Sequence, residues 1–322
     1  MTFSPSRRAL LKIAAAMPAL TLTATASRAA ITAPGAPNPG FMRFTFGEAA
    51  VTVVSDGHLE IPADGLGVNA DPEEVRAFLT RHFLSPETNY SHTNHVVIET
   101  GEAVVLVDIG SGNRFLPTAG RLLDNLSAAG IDAEAITHLV ITHAHPDHIW
   151  GIRDDFDEAL LPQAQKFLGQ VERDFWMDEG LVNQVPAEMQ QFVVGAQNSI
   201  AAEGAEWTLV GDETEIVPGL RVIDTPGHTP GHQSLILESG GAQMLITGDA
   251  MNHAYLNFAH PGWVNNFDMD GDQTSATRMR LLDMATADGM AVLGYHFPYP
   301  GVGHVMREGD AYRFVPALWR WE

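Results

Sequence analysis

Within six residues, His143-Ala144-His145-Pro146-Asp147-His148 offers three imidazoles and one carboxylate. Alternate side chains on a turn converge, and neutral imidazole with carboxylate is the donor set that suits zinc, iron, manganese or cobalt. The chain has no cysteine, which excludes thiolate ligands, disulfides and a cysteine nucleophile, so a soft-metal site must rest on imidazole. Three more donors follow downstream: His228 after Thr225-Pro226-Gly227, Asp249 after Thr247-Gly248, and His296 after Gly294-Tyr295. Each ends an apolar run. Asp249 supplies the second carboxylate that would let two ions share an oxygen. His232 is read as a neighbour of the ligands, and His58, His82, His92, His95, His138, His260 and His304 as solvent or core histidines.

The elements that must carry these donors are legible in outline. Arg43 to Ile61 alternates or clusters apolar residues and reads as a hairpin, with Ser55-Asp56-Gly57 as a turn signal. Asp71-Pro72-Glu73-Glu74 opens a helix with a cap, a proline at N1 and acidic first-turn residues. His95 to Thr100 and Ala103 to Asp108 read as buried strands, and a helix is expected from about Thr118 to Gly130. His138 to Thr142 is a short strand delivering the chain into the histidine cluster, where Pro146 stops it. Gln170 to Glu203 reads as mostly helical. Leu220 to Asp224, Gln233 to Glu238 and Gln243 to Thr247 are strands, and a capped helix runs from Asp272 to Asp288. Strands followed by helix, twice over, suggest two sheets with helices outside.

The first residues read as an address. Arg7-Arg8, the apolar and small residues Ile13 to Ala26, and Ala26 or Ala29 as a cut point give residues 1–29 the pattern of a twin-arginine signal peptide. A Pro/Gly-rich linker follows over 30–40, and one folded domain is expected over 41–322. The implied location is periplasmic or secreted, with no stable membrane insertion once the leader is removed.

Composition limits the partners. Forty acidic against 18 basic side chains give a formal charge of −22, which repels a polyanion and disfavours nucleic acid. Hydrophobic residues at 45% and charged residues at 18% fit a packed soluble body rather than a disordered or multi-span chain. A small-molecule substrate is expected, and a homodimer stays open.

The order H-x-H-x-D-H, then H, D and H, resembles the metallo-β-lactamase superfamily. The nearest likeness is its methyl-parathion-hydrolase-like branch, which includes lactonases and arylesterases. That likeness extends to Gly120-Arg121-Leu122, Asp174-Phe175-Trp176, the stretch from Phe297 to His304, and Tyr312 to Pro316, covering about Phe41 to Val315. It departs at Asp108-Ile109-Gly110, where the superfamily commonly has a threonine after the aspartate, and a change behind the ligands is expected there.

The resemblance implies an α/β fold: a four-layer αββα sandwich of two mixed sheets packed face to face. It implies two divalent ions, zinc first with iron, manganese or cobalt compatible. His143, His145 and His228 would hold one, Asp147, His148 and His296 the other, and Asp249 would bridge. A hydroxide shared by the ions would attack lactones, aryl esters or phosphotriesters, with Asp147 and Asp249 as the catalytic carboxylates. Phe115 and Trp176 correspond to aromatic pocket positions of the branch, with ordinary core packing the alternative for each, and Asn252-His253 falls where it could line the mouth or, the favoured reading, hold the loop by a hydrogen bond. A one-iron persulfide dioxygenase and a non-catalytic metal or ligand binder of the envelope are the competing readings.

Overall fold

The computed structural model describes residues 40–318 apart from Glu102. The expected leader and most of the expected linker lie outside the described residues. The folded body opens at β1 (Phe41–Phe46), which pairs with β2 (Ala49–Pro62). The chain reverses at Gly47-Glu48 and not at Ser55-Asp56-Gly57, where β2 instead carries a bulge. The reason is long-range: the Asp56 carboxylate accepts from Ser111 N–H (3.2 Å) and Leu122 N–H (2.7 Å), so it serves the interior rather than a turn.

Helix α1 (Pro72–Arg81) has the expected cap, with Asp71 accepting from the Glu73 N–H. Strand β3 (Thr88–Thr100) starts seven residues earlier than the sequence suggests and pairs with β2 as far as Pro62↔Thr88. β4 (Ala103–Val107) follows, then α2 (Leu122–Ala128). This helix begins four residues later than expected because Asp56, distant in sequence, caps its first N–H. β5 (His138–Ile141) leads into α3 (Pro146–Ile149), a single turn with Pro146 at its start. Pro146 thus starts helix as well as stopping strand.

β6 (Gln165–Gly169) runs into α4 (Gln170–Trp176), and two 3-10 turns separate that from α5 (Gln190–Ile200). The stretch read as mostly helical is thus helical in two pieces, interrupted at Asp178-Glu179-Gly180 and Pro186. The remaining elements are β7 (Trp207–Val210), β8 (Glu215–Val217), β9 (Leu220–Asp224), β10 (Gln233–Ser239), β11 (Ala242–Ile246), α6 (Leu256–Ala259), α7 (Gly271–Ala287), β12 (Ala291–Leu293), β13 (Val302–Glu308) and β14 (Ala311–Pro316).

Two seven-stranded sheets result, ordered β1-β2-β3-β4-β5-β6-β7 and β14-β13-β12-β11-β10-β9-β8. Parallel pairs join β4 to β7 and β11 to β12, and the other neighbours are antiparallel, so both sheets are mixed. Side-chain alternation sorts the layers. Val96, Val105, Val140 and Phe167 of the first sheet meet Val222, Leu235, Met244 and Leu293 of the second. The next residues along each strand face outward. Val97, Leu106, Leu139 and Leu168 pack under α2, α4 and α5, while Ile223, Ile236, Leu245 and Val292 pack under α7. Strands buried on both faces read as unbroken apolar runs, and the architecture is the four-layer αββα sandwich. Among the described residues no helix is long and apolar enough to cross a membrane.

Candidate metal centre

All seven donors stand just beyond the C-terminal ends of strands, on one edge of the sandwich. β5 delivers His143, His145, Asp147 and His148; β9, β11 and β12 deliver His228, Asp249 and His296. One turn of α3 sets Asp147 and His148 side by side, so the cluster is half loop and half helix. Gly227, at φ +133, lets the chain turn into His228 where an added Cβ would lie 2.3 Å from the Thr274 nitrogen of α7.

The donors fall into two sets. His143 Nε2 lies 3.1 Å from His145 Nδ1, which lies 2.9 Å from His228 Nε2. In the second set, Asp147 Oδ2 is 3.4 Å from His148 Nε2 and 3.3 Å from His296 Nε2. Asp249 stands between them: Oδ2 is 3.4 Å from His228 Nε2 and 3.0 Å from His296 Nε2, and Oδ1 is 3.3 Å from His148 Nε2. Ligand atoms of each triad lie within 4.8 Å of one another.

Partners behind the rings fix which nitrogen faces inward. His296 Nδ1 donates to the His92 carbonyl (2.7 Å), which can only accept. His228 Nδ1 faces Asp268 (2.9 Å), His148 Nδ1 faces Asp108 (2.8 Å), and His143 Nδ1 faces the Thr142 hydroxyl (3.1 Å). Each such ring turns an Nε2 lone pair to the centre, the arrangement by which outer partners orient metal-binding histidines. Asp108, at φ +59, also accepts from the Thr142 N–H and hydroxyl.

The centre fits cations. His148 Nε2, Asp147 Oδ2 and Asp249 Oδ1 are buried with no hydrogen-bond partner, a costly arrangement unless an ion takes their lone pairs. Burial, then neighbouring imidazoles, hold His143 and His145 well below the ordinary imidazole value, neutral and ready to ligate. Burial alone would raise Asp147, but facing His148 and His296 bring it down to about 2. Against burial, Asp147 and Asp249 raise His148, and Asp249 and Asp147 raise His296. Protons there answer the same carboxylates that an ion would neutralise.

Residues 89–296 match the model of the metallo-beta-lactamase superfamily. The chain belongs to that superfamily. Its metallo-beta-lactamase domain is 22% identical over 208 residues to an N-acyl homoserine lactonase of a Bacillus species, spanning 58% of this chain and 75% of the relative. Among solved structures it is similar to AidC, a dizinc quorum-quenching lactonase in complex with the product N-hexanoyl-L-homoserine. There the TM-score is 0.83 at 24% identity, covering 87% of this chain and 98% of that one. The hydrolase AbOPH is likewise similar, with TM-score 0.81 and 26% identity over 88% and 100% of the two chains.

Above this metallo-beta-lactamase centre lies a cavity of about 340 Å³ whose floor includes His145, Asp147, His228, Asp249 and His296. Leu59, Ile61, Phe115, Met189, Phe192 and Phe267 supply apolar wall; among the described residues no lysine or arginine lines it, and Asp64 is the one charged residue besides the ligands.

Trp176 and His253 do not line that cavity. Trp176 is 1% exposed, donates from Nε1 to Glu172 (2.7 Å), and sets its ring edge-on to His145. Glu172, four residues before it, shares its face of α4, and both are buried in the core. His253 Nδ1 accepts the N–H groups of Tyr255 and Leu256, capping α6, and its ring borders a separate 70 Å³ pocket behind His296. His232, the expected neighbour, accepts the Asp249 N–H at Nε2 (2.9 Å).

Sequence reasoning missed Glu172, Asp268 and Tyr295. Tyr295 donates to the Asp147 carbonyl (2.6 Å), meets His95 Nε2 (3.0 Å), and lies over the His148 ring. Tyr295 was within reach as the neighbour of a ligand. Asp268 had no local signal, being 40 residues from His228.

Proposed function

We propose that this protein hydrolyses lactones, with aryl esters and phosphotriesters as further substrates, at a pair of divalent ions, zinc foremost. The observation that carries this is the complete set of seven donors beneath an apolar-walled cavity that, among the described residues, has no lysine or arginine. Such walls suit neutral acyl or aryl groups and offer nothing to a polyanion. The product bound in the AidC structure, an opened homoserine lactone, supports the lactone as first choice.

His143, His145 and His228 would hold one ion, Asp147, His148 and His296 the other, with Asp249 facing both. Bound there, the ions would supply Lewis acidity toward the carbonyl or phosphoryl oxygen and a shared water acidified enough to attack at neutral pH. The protein's own residues do the rest. Apolar walls seat the acyl chain and exclude bulk water, which strengthens every charge interaction on the floor. Asp147, ionised and lining the cavity, is positioned to take a proton and return it to the leaving oxygen. We also propose twin-arginine export, on the strength of Arg7-Arg8 and the apolar run that follows.

The test is metal content per chain, with turnover of an N-acyl homoserine lactone, an aryl ester and a phosphotriester before and after chelation. Two ions and chelator-sensitive turnover are expected. One iron per chain with oxygen consumption on a persulfide and no hydrolysis would replace this reading with the dioxygenase.

A further inference from the structure

Beneath the first set of histidines lies a second, metal-free piece of architecture. Glu172 on α4 is fully buried. Its Oε1 accepts from the Ala144 N–H (2.8 Å) and the Trp176 indole N–H (2.7 Å). Its Oε2 accepts from the Thr229 hydroxyl (2.7 Å) and the Gly231 N–H (3.1 Å). Ala144 lies between His143 and His145, and Thr229 follows His228, so one carboxylate grips both loops that carry the first triad. Trp176 adds a ring edge-on to His145, at 5.8 Å between centroids.

Close packing supports the same contact independently. A Cβ on Gly231 would fall 2.0 Å from the Glu172 nitrogen, so that loop is pressed onto α4 backbone to backbone. The loop after His145 has no such tie; Asp147, His148 and His296 are held instead through Tyr295, Asp108 and the His92 carbonyl. We propose that Glu172 is a positioning residue that sets the affinity of the first ion site selectively, by fixing the spacing of the His143–His145 loop against the His228 loop. This rests on the two-ion reading above.

Charge and donor count explain why a carboxylate is needed. The Ala144, Gly231 and Trp176 N–H groups can only donate, so a group with four accepting lone pairs satisfies them and an amide does not. Burial pushes the Glu172 carboxyl above its ordinary value against the pull of the four donors. In Glu172→Gln the amide nitrogen must face at least one backbone N–H whichever way it turns, and the grip opens.

The experiment is titration of the ion-free protein with cobalt, read by visible absorption and calorimetry, for wild type, Glu172→Gln and Thr229→Val. His145→Ala and His296→Ala identify which class of site is which. Glu172→Gln is expected to weaken the class missing in His145→Ala by about 10- to 100-fold and leave the other within about threefold. Thr229→Val, nearly isosteric and losing one bond, should act in the same direction by less. Equal weakening of both classes, or none, would overturn the assignment; if Glu172→Gln fails to fold, Thr229→Val decides by the same criterion. A wild type that takes up no cobalt would instead overturn the metallohydrolase reading, a separate outcome.

Discussion

His228 Nδ1 meets Asp268 Oδ1 at 2.9 Å, while the other oxygen of that carboxylate accepts the Asn265 N–H and lies 3.8 Å from the buried Arg278 guanidinium. A ring held this way keeps its Nε2 lone pair on the ion site. Asp268→Asn is therefore expected to lower affinity for one ion by about 10- to 100-fold, measured by competition with a chelator. An unchanged affinity would show the carboxylate to be dispensable.

Ion uptake should release protons. In the ion-free protein Asp147 and Asp249 raise His148 and His296 above the ordinary imidazole value of 6.5. Near neutrality these rings then carry protons that ligation must expel, so apparent affinity rises with pH until it passes their raised values. Calorimetry in buffers of different ionisation enthalpy reads the number released. Zero release at pH 7 would contradict the assignment.

The cavity wall sets a chain-length dependence. Burying one methylene contributes about 0.8 kcal/mol, or roughly fourfold in kcat/KM. Against acyl homoserine lactones of increasing length, wild type should gain with each carbon until Leu59, Ile61, Met189 and Phe192 are covered. In Phe192→Ala that slope should flatten, while the shortest lactone keeps its kcat. A parallel drop for all lengths would assign Phe192 to folding instead.

Gly227→Ala places a Cβ against the α7 backbone at a positive φ. A loss of roughly 1–3 kcal/mol in stability is expected, with weaker ion binding at the triad containing His228. Thermal unfolding with and without ions separates the two effects.

Much of this was legible because ligands and strands leave local marks. His143 to His148 is dense in donors, and the runs before Asp249 and His296 are apolar enough to be buried strands. What was not legible depended on partners far away in the chain or on which way a side chain turns. Asp56 looks like a turn residue until Ser111 and Leu122 are brought to it. Trp176 reads equally as pocket wall or core until Glu172 accepts the hydrogen bond of its indole N–H, and the loop-holding reading of His253 fits its ring, which accepts the N–H groups of Tyr255 and Leu256. Short strands such as Glu215–Val217 carry too few residues for a period to register.

Each triad draws on both sheets: His143 and His145 come from the first and His228 from the second, and Asp147 and His148 likewise meet His296. Neither sheet alone supplies either triad in full. Ion capture is thus expected to follow docking of the two sheets, since the first triad joins residues 143 and 228 and the second joins residues 147 and 296. An ion-sensitive signal followed during refolding would time the docking of the two halves, and a chelator added before that moment would leave a closed, empty sandwich.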